Sequence, residues 1–261
     1  MKPPLPLNTF KTAITQGQRQ IGLWGTLCSP ICAELAADAG FDWILFDSEH
    51  SPVEIAGLLP LLQAAARGDS HCAVRVAWND PVLIKRVLDL GAQTVFVPFV
   101  QNRDDARAAV AACRYPPKGV RGVAGVTRAT RYGRVADYAN CAAEQVCVIV
   151  QIETAQALEQ IDEIAQTEGV DGVFIGPSDL AASMGHAGNP DHPDVQAAIR
   201  QAAADLLRIR KASGILARNA IEAINYVEWG YTFVAAGVDA GVFTKAVDTL
   251  REDVAKGMPN G

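Results

Sequence analysis

The chain has 261 residues, of which 49% are hydrophobic and 20% charged, and its formal net charge is −6. This composition is typical of a globular protein with one large domain or two small ones. The acidic balance argues against nucleic acid as a partner, because phosphate binding requires a basic surface.

No apolar stretch approaches the roughly 20 residues that a bilayer-spanning helix needs. The first ten residues, MKPPLPLNTF, lack the apolar core of a signal peptide. The six cysteines form no CxxC pair and have no histidine at zinc-finger spacing, so we predict reduced thiols. We therefore expect a cytoplasmic protein with no membrane partner.

Short β-rich segments recur along the chain and alternate with segments of helical pattern. The predicted strands are residues 21–27, 43–47, 72–77, 94–100, 146–153, 172–176, 214–218 and 231–237. The predicted helices are residues 30–40, 53–68, 80–91, 102–113, 155–169, 193–213 and 219–230. Near-continuous apolar strands that alternate with amphipathic helices indicate a parallel sheet covered by helices.

Eight such units in about 250 residues are typical of a (β/α)8 barrel. A doubly wound open sheet is the alternative, and it is weakened because no strand is followed by a GxGxxG or GxxxxGK[ST] loop. We see no linker, so we expect residues 1–261 to form a single barrel domain. The irregular stretch 114–135 is too long for a simple connection and is a candidate functional loop.

Polar residues cluster where the predicted strands end, which is where barrels of this kind place their chemistry. They are Asp47, Glu49 and His50 after the second strand, Arg75 on the third, Gln151 and Glu153 on the fifth, and Gly176, Ser178 and Asp179 after the sixth. A buried strand that ends in two acids and a histidine is therefore a candidate active-site segment.

Glu153 and Asp179 follow neighbouring strands, so their carboxylates would repel each other unless a cation lies between them. Oxygen ligands of this kind suit Mg²⁺ or Mn²⁺. The alternative is that both are acids at helix starts, where caps and the helix dipole favour negative charge. The spacing alone does not separate these two interpretations.

His50 is a candidate general base, because a histidine pKa lies in the useful range; the alternative is an ordinary residue at a helix start. Arg75 lies in an apolar strand and needs an anionic partner, either a structural acid such as Asp47 or Glu49 or a substrate oxyanion. Asp89 falls near a helix end, where the dipole disfavours an acid, which hints at a specific partner.

The segment from Gly176 to Asp179 leads into a short predicted helix, whose free amide groups are able to hold a carboxylate. The histidines His71, His186 and His192 fit ordinary strand-start and loop positions. We assign them no catalytic role.

Six motifs together resemble the class II pyruvate aldolases of the HpcH/HpaI family. They are FDWILFDSEHSP, RVAWNDPVLIKRVLDLGAQTVFVPFVQN, RYPPKGVRG, VQIET, GVDGVFIGPSDL and AGNPDHPDVQAAI. The resemblance extends from about Gly22 to Val242. It implies a (β/α)8 barrel of the phosphoenolpyruvate/pyruvate type and a reversible aldol cleavage of 4-hydroxy-2-oxo acids to pyruvate and an aldehyde.

The resemblance also implies residue roles. Glu153 and Asp179 would hold a divalent Mg²⁺, Mn²⁺ or Co²⁺ ion, and His50 would be the base, with a basicity that Asp89 raises. Arg75 would stabilise the transition state. Gln151, Ser178, Asp179 and Gly176 would contact the substrate, and Trp24 and Leu216 are candidates for shaping the entrance, with core packing as their alternative.

Members of the family are similar in forming hexamers, as trimers of dimers that exchange a terminal helix, and residues 243–261 are the matching C-terminal extension. A citrate- or acyl-CoA-type lyase on the same barrel and a non-catalytic metabolite-binding protein remain alternatives. The first would need a basic nucleotide-binding surface, for which only Arg114 to Arg134 qualifies.

Overall fold

Eight parallel strands form the closed barrel that the sequence predicts, in a computed structural model that describes residues 4–258. Each strand pairs with the next in chain order and the eighth pairs with the first. The strands are β1 Gln20–Gly25, β2 Trp43–Asp47, β3 His71–Arg75, β4 Thr94–Val97, β5 Cys147–Ile152, β6 Gly172–Ile175, β7 Ala212–Leu216 and β8 Phe233–Val238. The (β/α)8 prediction is confirmed, and the open sheet is excluded.

Within residues 4–258, twelve helices surround or close this barrel. They are α1 Thr9–Thr15, α2 Pro30–Ala37, α3 Ile55–Ala65, α4 Pro81–Asp89, α5 Arg103–Cys113, α6 Tyr138–Gln145, α7 Ala155–Glu159, α8 Ile161–Ala165, α9 Pro177–Ser183, α10 Pro193–Arg208, α11 Ala220–Glu228 and α12 Asp239–Gly257. The sequence pattern missed α1 and α6. It also predicted one helix over 155–169, where the structure has α7 and α8 separated at Gln160.

Side-chain caps explain where several of the helices begin. Asp80 accepts hydrogen bonds from the amides of Val82 and Leu83 at the start of α4, and Asn102 and Thr154 cap α5 and α7 in the same way. Such caps satisfy amides that have no partner within the helix. They set the point at which each strand-end loop turns into its helix, and so they limit the length of the loops at the barrel mouth.

The interior of the barrel is filled mainly by aromatic rings. Trp43 stacks on Phe96 with ring centroids 5.7 Å apart, and Phe233 meets both rings edge-on. Two glycines make room for this layer: a Cβ on Gly22 would lie 2.2 Å from the Trp43 ring, and one on Gly214 would lie 2.1 Å from the Phe233 ring. The packed interior closes the barrel below its active end.

Helix α1 covers the amino-terminal end of the barrel. Phe10 packs against Trp43 and Phe233 at centroid distances of 5.6 and 5.4 Å, near the starts of β2 and β8. The fully buried Asn8 caps α1 and donates to Thr94 Oγ1 at 3.0 Å and to the Gln145 carbonyl at 2.9 Å. Helix α1 therefore closes the amino-terminal end of the barrel.

The stretch 114–137 contains no helix or strand, but it is anchored to the barrel. Arg121 is buried, donates to Asp89 Oδ1 at 2.7 Å, and lies over the ring of Tyr115 at 4.6 Å. Arg128 donates to the carbonyl of Leu90 at 2.7 Å. This anchoring explains how a long irregular segment keeps a defined position.

Helix α12 begins at Asp239, four residues before the predicted extension at 243; residues 259–261 of that extension lie outside the described residues. None of its residues is buried, and its substantial contacts within the chain are with β1 and β8. Phe243, Val247, Leu250 and Val254 form an exposed apolar stripe along it. Among residues 4–258 no helix is both long and apolar enough to cross a bilayer.

Replacing Gly214 by alanine should destabilise the protein by about 1–3 kcal/mol, because the new methyl group has no space beside Phe233. Urea denaturation measures the change. Gly125→Ala is the matched control, since a Cβ there meets nothing within 4 Å. Equal stabilities for the two variants would contradict the tight interior packing.

Candidate active site

The centre of the barrel mouth is a buried ion pair between the last residues of β2 and β3. Arg75 donates from Nε to Asp47 Oδ1 at 2.8 Å and from Nη2 to Asp47 Oδ2 at 2.5 Å, and the two residues are register partners. Burial would raise the pKa of Asp47, but the hydrogen bonds and charge of Arg75 hold it below its ordinary value. Asp47 is therefore an anion whose partner is structural.

Asp47 also organises the segment that follows it. The amide of Glu49 donates to Asp47 Oδ1 at 2.9 Å, the amide of His50 approaches the same oxygen at 3.4 Å, and the Ser51 hydroxyl donates to the Asp47 carbonyl. Trp24 Nε1 donates to Asp47 Oδ2 at 3.2 Å. One carboxylate thus holds the turn that presents Glu49 and His50 at the mouth.

Glu49 is the second acid beside Arg75. Its Oε2 lies 2.9 Å from Arg75 Nη1, but the atoms do not have hydrogen-bonding geometry, and this buried oxygen has no hydrogen-bond partner among the described residues. Burial raises the pKa of Glu49 to about 7, and the charges of Asp47 and Asp179 add to the rise while Arg75 opposes it. Arg75 does not neutralise both acids.

Glu153 lies directly after β5 and is held by two donors. The amide of Phe99 donates to its Oε1 at 2.7 Å, and Gln151 Nε2 donates to its Oε2 at 3.1 Å. Burial raises the pKa of Glu153 to about 7, with Glu49 and Asp179 adding to the rise and the Phe99 amide opposing it. These mutual effects show that the structure brings Glu49, Glu153 and Asp179 together.

The sequence positions Gly176 and Phe99 have a structural role beside Glu153. A Cβ on Gly176 would lie 2.7 Å from Glu153 Oε2, so a side chain there would displace the carboxylate. Phe99 has φ of 55°, an uncommon conformation for an aromatic residue, and its amide is the one that holds Glu153. The strained backbone at Phe99 is offset because it directs the Phe99 amide at the buried carboxylate of Glu153.

Ser178 and Asp179 occupy the first turn of α9, which starts at Pro177, earlier than the sequence pattern predicted. The first hydrogen bond of the helix runs from the Leu180 amide to the Gly176 carbonyl. The amides of Ser178 and Asp179 precede it and have no partner within the helix. Both residues are exposed at the mouth.

The remaining predicted residues are placed as follows. His50 is 65% exposed, with Nε2 3.9 Å from Glu49 Oε1. Trp24 is buried under the guanidinium of Arg75 at 4.8 Å and packs on Phe174, so it forms the floor of the mouth. Leu216 is half-buried at the end of β7, against the interior cluster.

Within one chain, Asp89 does not lie beside His50 and the other residues at the barrel mouth. It ends α4, whose start lies at the mouth, and the length of nine residues places it about 12 Å along the helix axis from that start. Its carboxylate is paired with Arg121. A contact between Asp89 and His50 of the same chain is therefore not part of this structure.

The sequence placed Asp47 and Glu49 in the candidate active-site segment and offered them as structural partners of Arg75, but it assigned them no further role. In the structure Asp47 is the hydrogen-bonded partner of Arg75, and Glu49 is a second acid beside it. The exposed aromatic pair Trp78 and Phe99 was missed; its rings stack at 5.4 Å beside the loops after β3 and β4. No local pattern distinguishes these rings from core residues.

The predictions for His71 and for the cysteines concern residues away from the mouth. His71 is half-buried and contacts Thr94 Oγ1 at 2.7 Å, and burial lowers its pKa to about 4, so its position is that of a structural histidine. All six cysteines are free. Burial raises the pKa of Cys72 to about 11 and of Cys113 to about 12, so these two thiols are poor nucleophiles.

Comparison with known proteins identifies relatives along nearly the whole chain. A "hydroxypyruvate/pyruvate aldolase" of Sagittula stellata is 54% identical over 249 residues, which are 95% of this chain and 98% of the relative. A "4-hydroxy-2-oxo-heptane-1,7-dioate aldolase" of Escherichia coli is 52% identical over 244 residues, 93% of each chain.

A solved structure has the same fold. The crystal structure of an HpcH/HpaI aldolase/citrate lyase family protein from Burkholderia cenocepacia is 38% identical, covers 95% of this chain and 99% of its own, and gives a TM-score of 0.92. The family model for HpcH/HpaI aldolase/citrate lyase matches residues 20–246. The chain therefore belongs to the HpcH/HpaI aldolase/citrate lyase family.

Proposed function

We propose that the protein is a divalent-metal-dependent class II aldolase that cleaves 4-hydroxy-2-oxo acids reversibly to pyruvate and an aldehyde, such as a semialdehyde. The observation that carries the proposal is the excess of acid at the mouth. Asp47, Glu49, Glu153 and Asp179 have one guanidinium, Arg75, among them, a net charge of −3 (−4 + 1) when all are ionised. The names of the relatives as aldolases support the reaction class.

The donor set at the mouth fits a hard divalent cation. Glu153 and Asp179 would hold Mg²⁺, Mn²⁺ or Co²⁺, since oxygen ligands suit such ions. The buried Oε1 of Gln151 has no hydrogen-bond partner among the described residues and adds an oxygen acceptor beside Glu153. When bound, the ion supplies a Lewis acid for the keto oxygen of the substrate.

Side chains and backbone amides of the protein have the other roles in the proposed reaction. The guanidinium of Arg75, held in place by Asp47, stabilises negative charge that develops on the keto oxygen as the enolate of pyruvate forms. In the cleavage direction, exposed His50 takes the proton from the C4 hydroxyl. Gln151 and the amides of Ser178 and Asp179 orient the substrate carboxylate.

Within the described residues, no strand supplies a lysine for a Schiff-base mechanism. None of the eight strands, all within the described residues, carries one. Lys85 lies on α4 and Lys118 in the stretch 114–137. The proposed reaction therefore uses the acids and the arginine at the mouth instead of a covalent intermediate.

We also propose that the barrel assembles with further copies through α12. In a barrel, the helix after β8 would normally cover the face between α11 and α2, where Ile31, Leu35, Ile221 and Ile224 are exposed. The apolar stripe of α12 and this uncovered face are complementary, so an exchange of α12 between chains buries both. The assembly proposed is a homo-hexamer, a trimer of dimers, of single-domain chains in the cytoplasm.

The proposed role of Asp89, which is to raise the basicity of His50, also requires assembly. Because α4 separates Asp89 from the mouth of its own barrel, it raises the basicity of His50 only if the two residues meet across chains. Its pair with Arg121 leaves its carboxylate 23% exposed, so it is accessible to a second chain.

The metal-dependent reaction predicts that pyruvate release from 4-hydroxy-2-oxo acids is abolished by EDTA and restored by Mg²⁺, Mn²⁺ or Co²⁺. Glu153→Gln should bind these ions weakly and lack activity. A coupled assay for pyruvate and calorimetric metal titration measure the two effects. Glu159 is an exposed residue on α7, and Glu159→Gln is the control, which should behave as the wild type.

His50→Ala separates chemistry from metal binding in the same assays. It should lower kcat by about 10²–10⁴ while metal affinity stays unchanged. Activity that survives EDTA would remove the metal from the mechanism. Bound metal without turnover of any 4-hydroxy-2-oxo acid would instead favour a citrate-type lyase or a metabolite-binding protein.

The raised pKa values predict an unusual pH dependence of stability in the metal-free protein. Glu49 and Glu153 keep protons in the folded state that the unfolded chain releases between pH 4.5 and about 7, so their contribution to stability falls as pH rises through that window. His71, with its lowered pKa, contributes in the opposite direction between pH 6.5 and about 4.

Comparing Glu153→Gln with the wild type isolates the effect of the acid, because the contribution of His71 is the same in both proteins. In EDTA, Glu153→Gln should melt at least about 2 °C above the wild type at pH 8, and the difference should shrink towards pH 5. Added Mg²⁺ should stabilise the wild type alone. A melting difference that is the same at both pH values would show that Glu153 is not held against other negative charge.

Assembly through α12 predicts that Leu250→Glu, in the apolar stripe, lowers the molecular mass measured by light scattering after size exclusion. Leu35→Glu, on the uncovered face, should have the same effect. Thr249→Glu adds the same charge away from the stripe of α12 and is the matched control. If Leu250→Glu and Thr249→Glu leave the same assembly intact, α12 is not the contact.

A further inference from the structure

A cluster of metal-ligating side chains lies outside the mouth, in the connection between α9 and α10. His186 Nε2 is 3.9 Å from Asp194 Oδ2, and His192 Nδ1 is 3.7 Å from the same oxygen. The two imidazole rings stack at 3.5 Å with an interplanar angle of 12°. In the described part of the chain, this is the one group of three His, Cys, Asp or Glu residues whose ligand atoms all lie within 4.8 Å of one another.

The chemistry of the three groups suits a metal ion. An imidazole ring binds a metal ion through the lone pair of one of its nitrogens, and two such rings lie together here. Asp194 brings the negative charge. The neighbouring acid Asp191 is already paired with Arg218, so Asp194 is the carboxylate left beside the rings.

The distances are close to those that one ion requires. Zinc binds histidine nitrogen at about 2.0–2.1 Å and carboxylate oxygen at about 2.0–2.2 Å, so ligand atoms in a tetrahedral site lie roughly 3.4 Å apart. Relative to that spacing, the separations of 3.7 and 3.9 Å need to close by roughly 0.3 and 0.5 Å, and the rings need to tilt out of their stack. His192 Nδ1, which accepts a hydrogen bond from the Asp194 amide at 3.3 Å, needs to release that amide to bind an ion. His186 and His192 are 27% and 32% exposed, so they turn without disturbing the core.

We propose that His186, His192 and Asp194 form a second metal site, specific for a borderline transition ion such as Zn²⁺ rather than Mg²⁺. Two imidazole nitrogens and one carboxylate oxygen favour Zn²⁺, Ni²⁺, Cu²⁺ or Co²⁺, whereas the ligands proposed at the mouth, Glu153 and Asp179, are carboxylates. The protein thus has two sites of different ligand class, and the second leaves positions for water.

The position of the site gives it a consequence for the mouth. The His186 amide donates to the Ala181 carbonyl in the last turn of α9 at 2.7 Å, while His192 caps α10 and Asp194 lies in its first turn. An ion held by the three residues therefore fastens the end of α9 to the start of α10. Helix α9 begins with Ser178 and Asp179, so the ion restrains the helix that carries them.

Calorimetric titration of metal-free protein with ZnCl₂ tests the proposal. Wild type should bind two equivalents, Glu153→Gln one, His186→Ala one, and the double variant none. Because changes outside the ligand shell alone cost 10–100-fold in affinity, loss of the His186 or His192 ligand should weaken this site more than about tenfold. Asn189→Ala, in the same loop, is the control and should bind as wild type.

Mg²⁺-dependent pyruvate release is the check that His186→Ala and His192→Ala are folded. The rate of release should be the same in both variants as in the wild type. The visible spectrum of added Co²⁺ should report nitrogen ligands in Glu153→Gln and lose that signal in the double variant. Zn²⁺ binding that is identical in wild type, His186→Ala and His192→Ala would overturn the second site. The Zn²⁺ titration and the Co²⁺ spectrum do not depend on whether the mouth is an aldolase, because both are measured in Glu153→Gln as well.

Discussion

The buried pair of Asp47 and Arg75 is the interaction on which the mouth of the barrel depends. Removing charges from water costs several kcal/mol per ion, and the bidentate contact offsets this only because the register of β2 and β3 places the residues side by side. The pair uses Nε and Nη2 of the guanidinium and leaves Nη1 beside Glu49. Its second role is mechanical, since Asp47 also binds the amide of Glu49 and the indole of Trp24.

The other acids acquire their properties from this arrangement. Glu49 is half-buried and Glu153 is buried, and this burial raises the pKa of each to about 7, with the charge of Asp179 adding to the rise. A folded protein keeps such an excess of carboxylate where a cation is to be bound or protons are to be moved. The amide of Phe99 and the absence of a side chain at Gly176 fit the backbone closely to the carboxylate of Glu153.

The rest of the fold supplies a rigid base for this site and a means of association. Aromatic packing against Gly22 and Gly214 and the cover formed by α1 close the barrel below the mouth. Outside the barrel, α12 buries none of its residues within its own chain. A single chain is therefore complete as a barrel but leaves apolar surface that a second copy is suited to cover.

The sequence by itself determined the barrel, because the apolar strands and amphipathic helices are local periodic patterns, and the motifs at the strand ends identified the family. It also named Glu153, Asp179, His50 and Arg75. Only the tertiary structure decided that Asp47 is the partner of Arg75, that Glu49 joins the acids, and that Asp89 faces Arg121 in its own chain. It also decided the stack of His186 on His192, six residues apart in a loop of no regular period. Each of these depends on contacts between segments distant in sequence or on an irregular backbone, and no local pattern encodes such contacts.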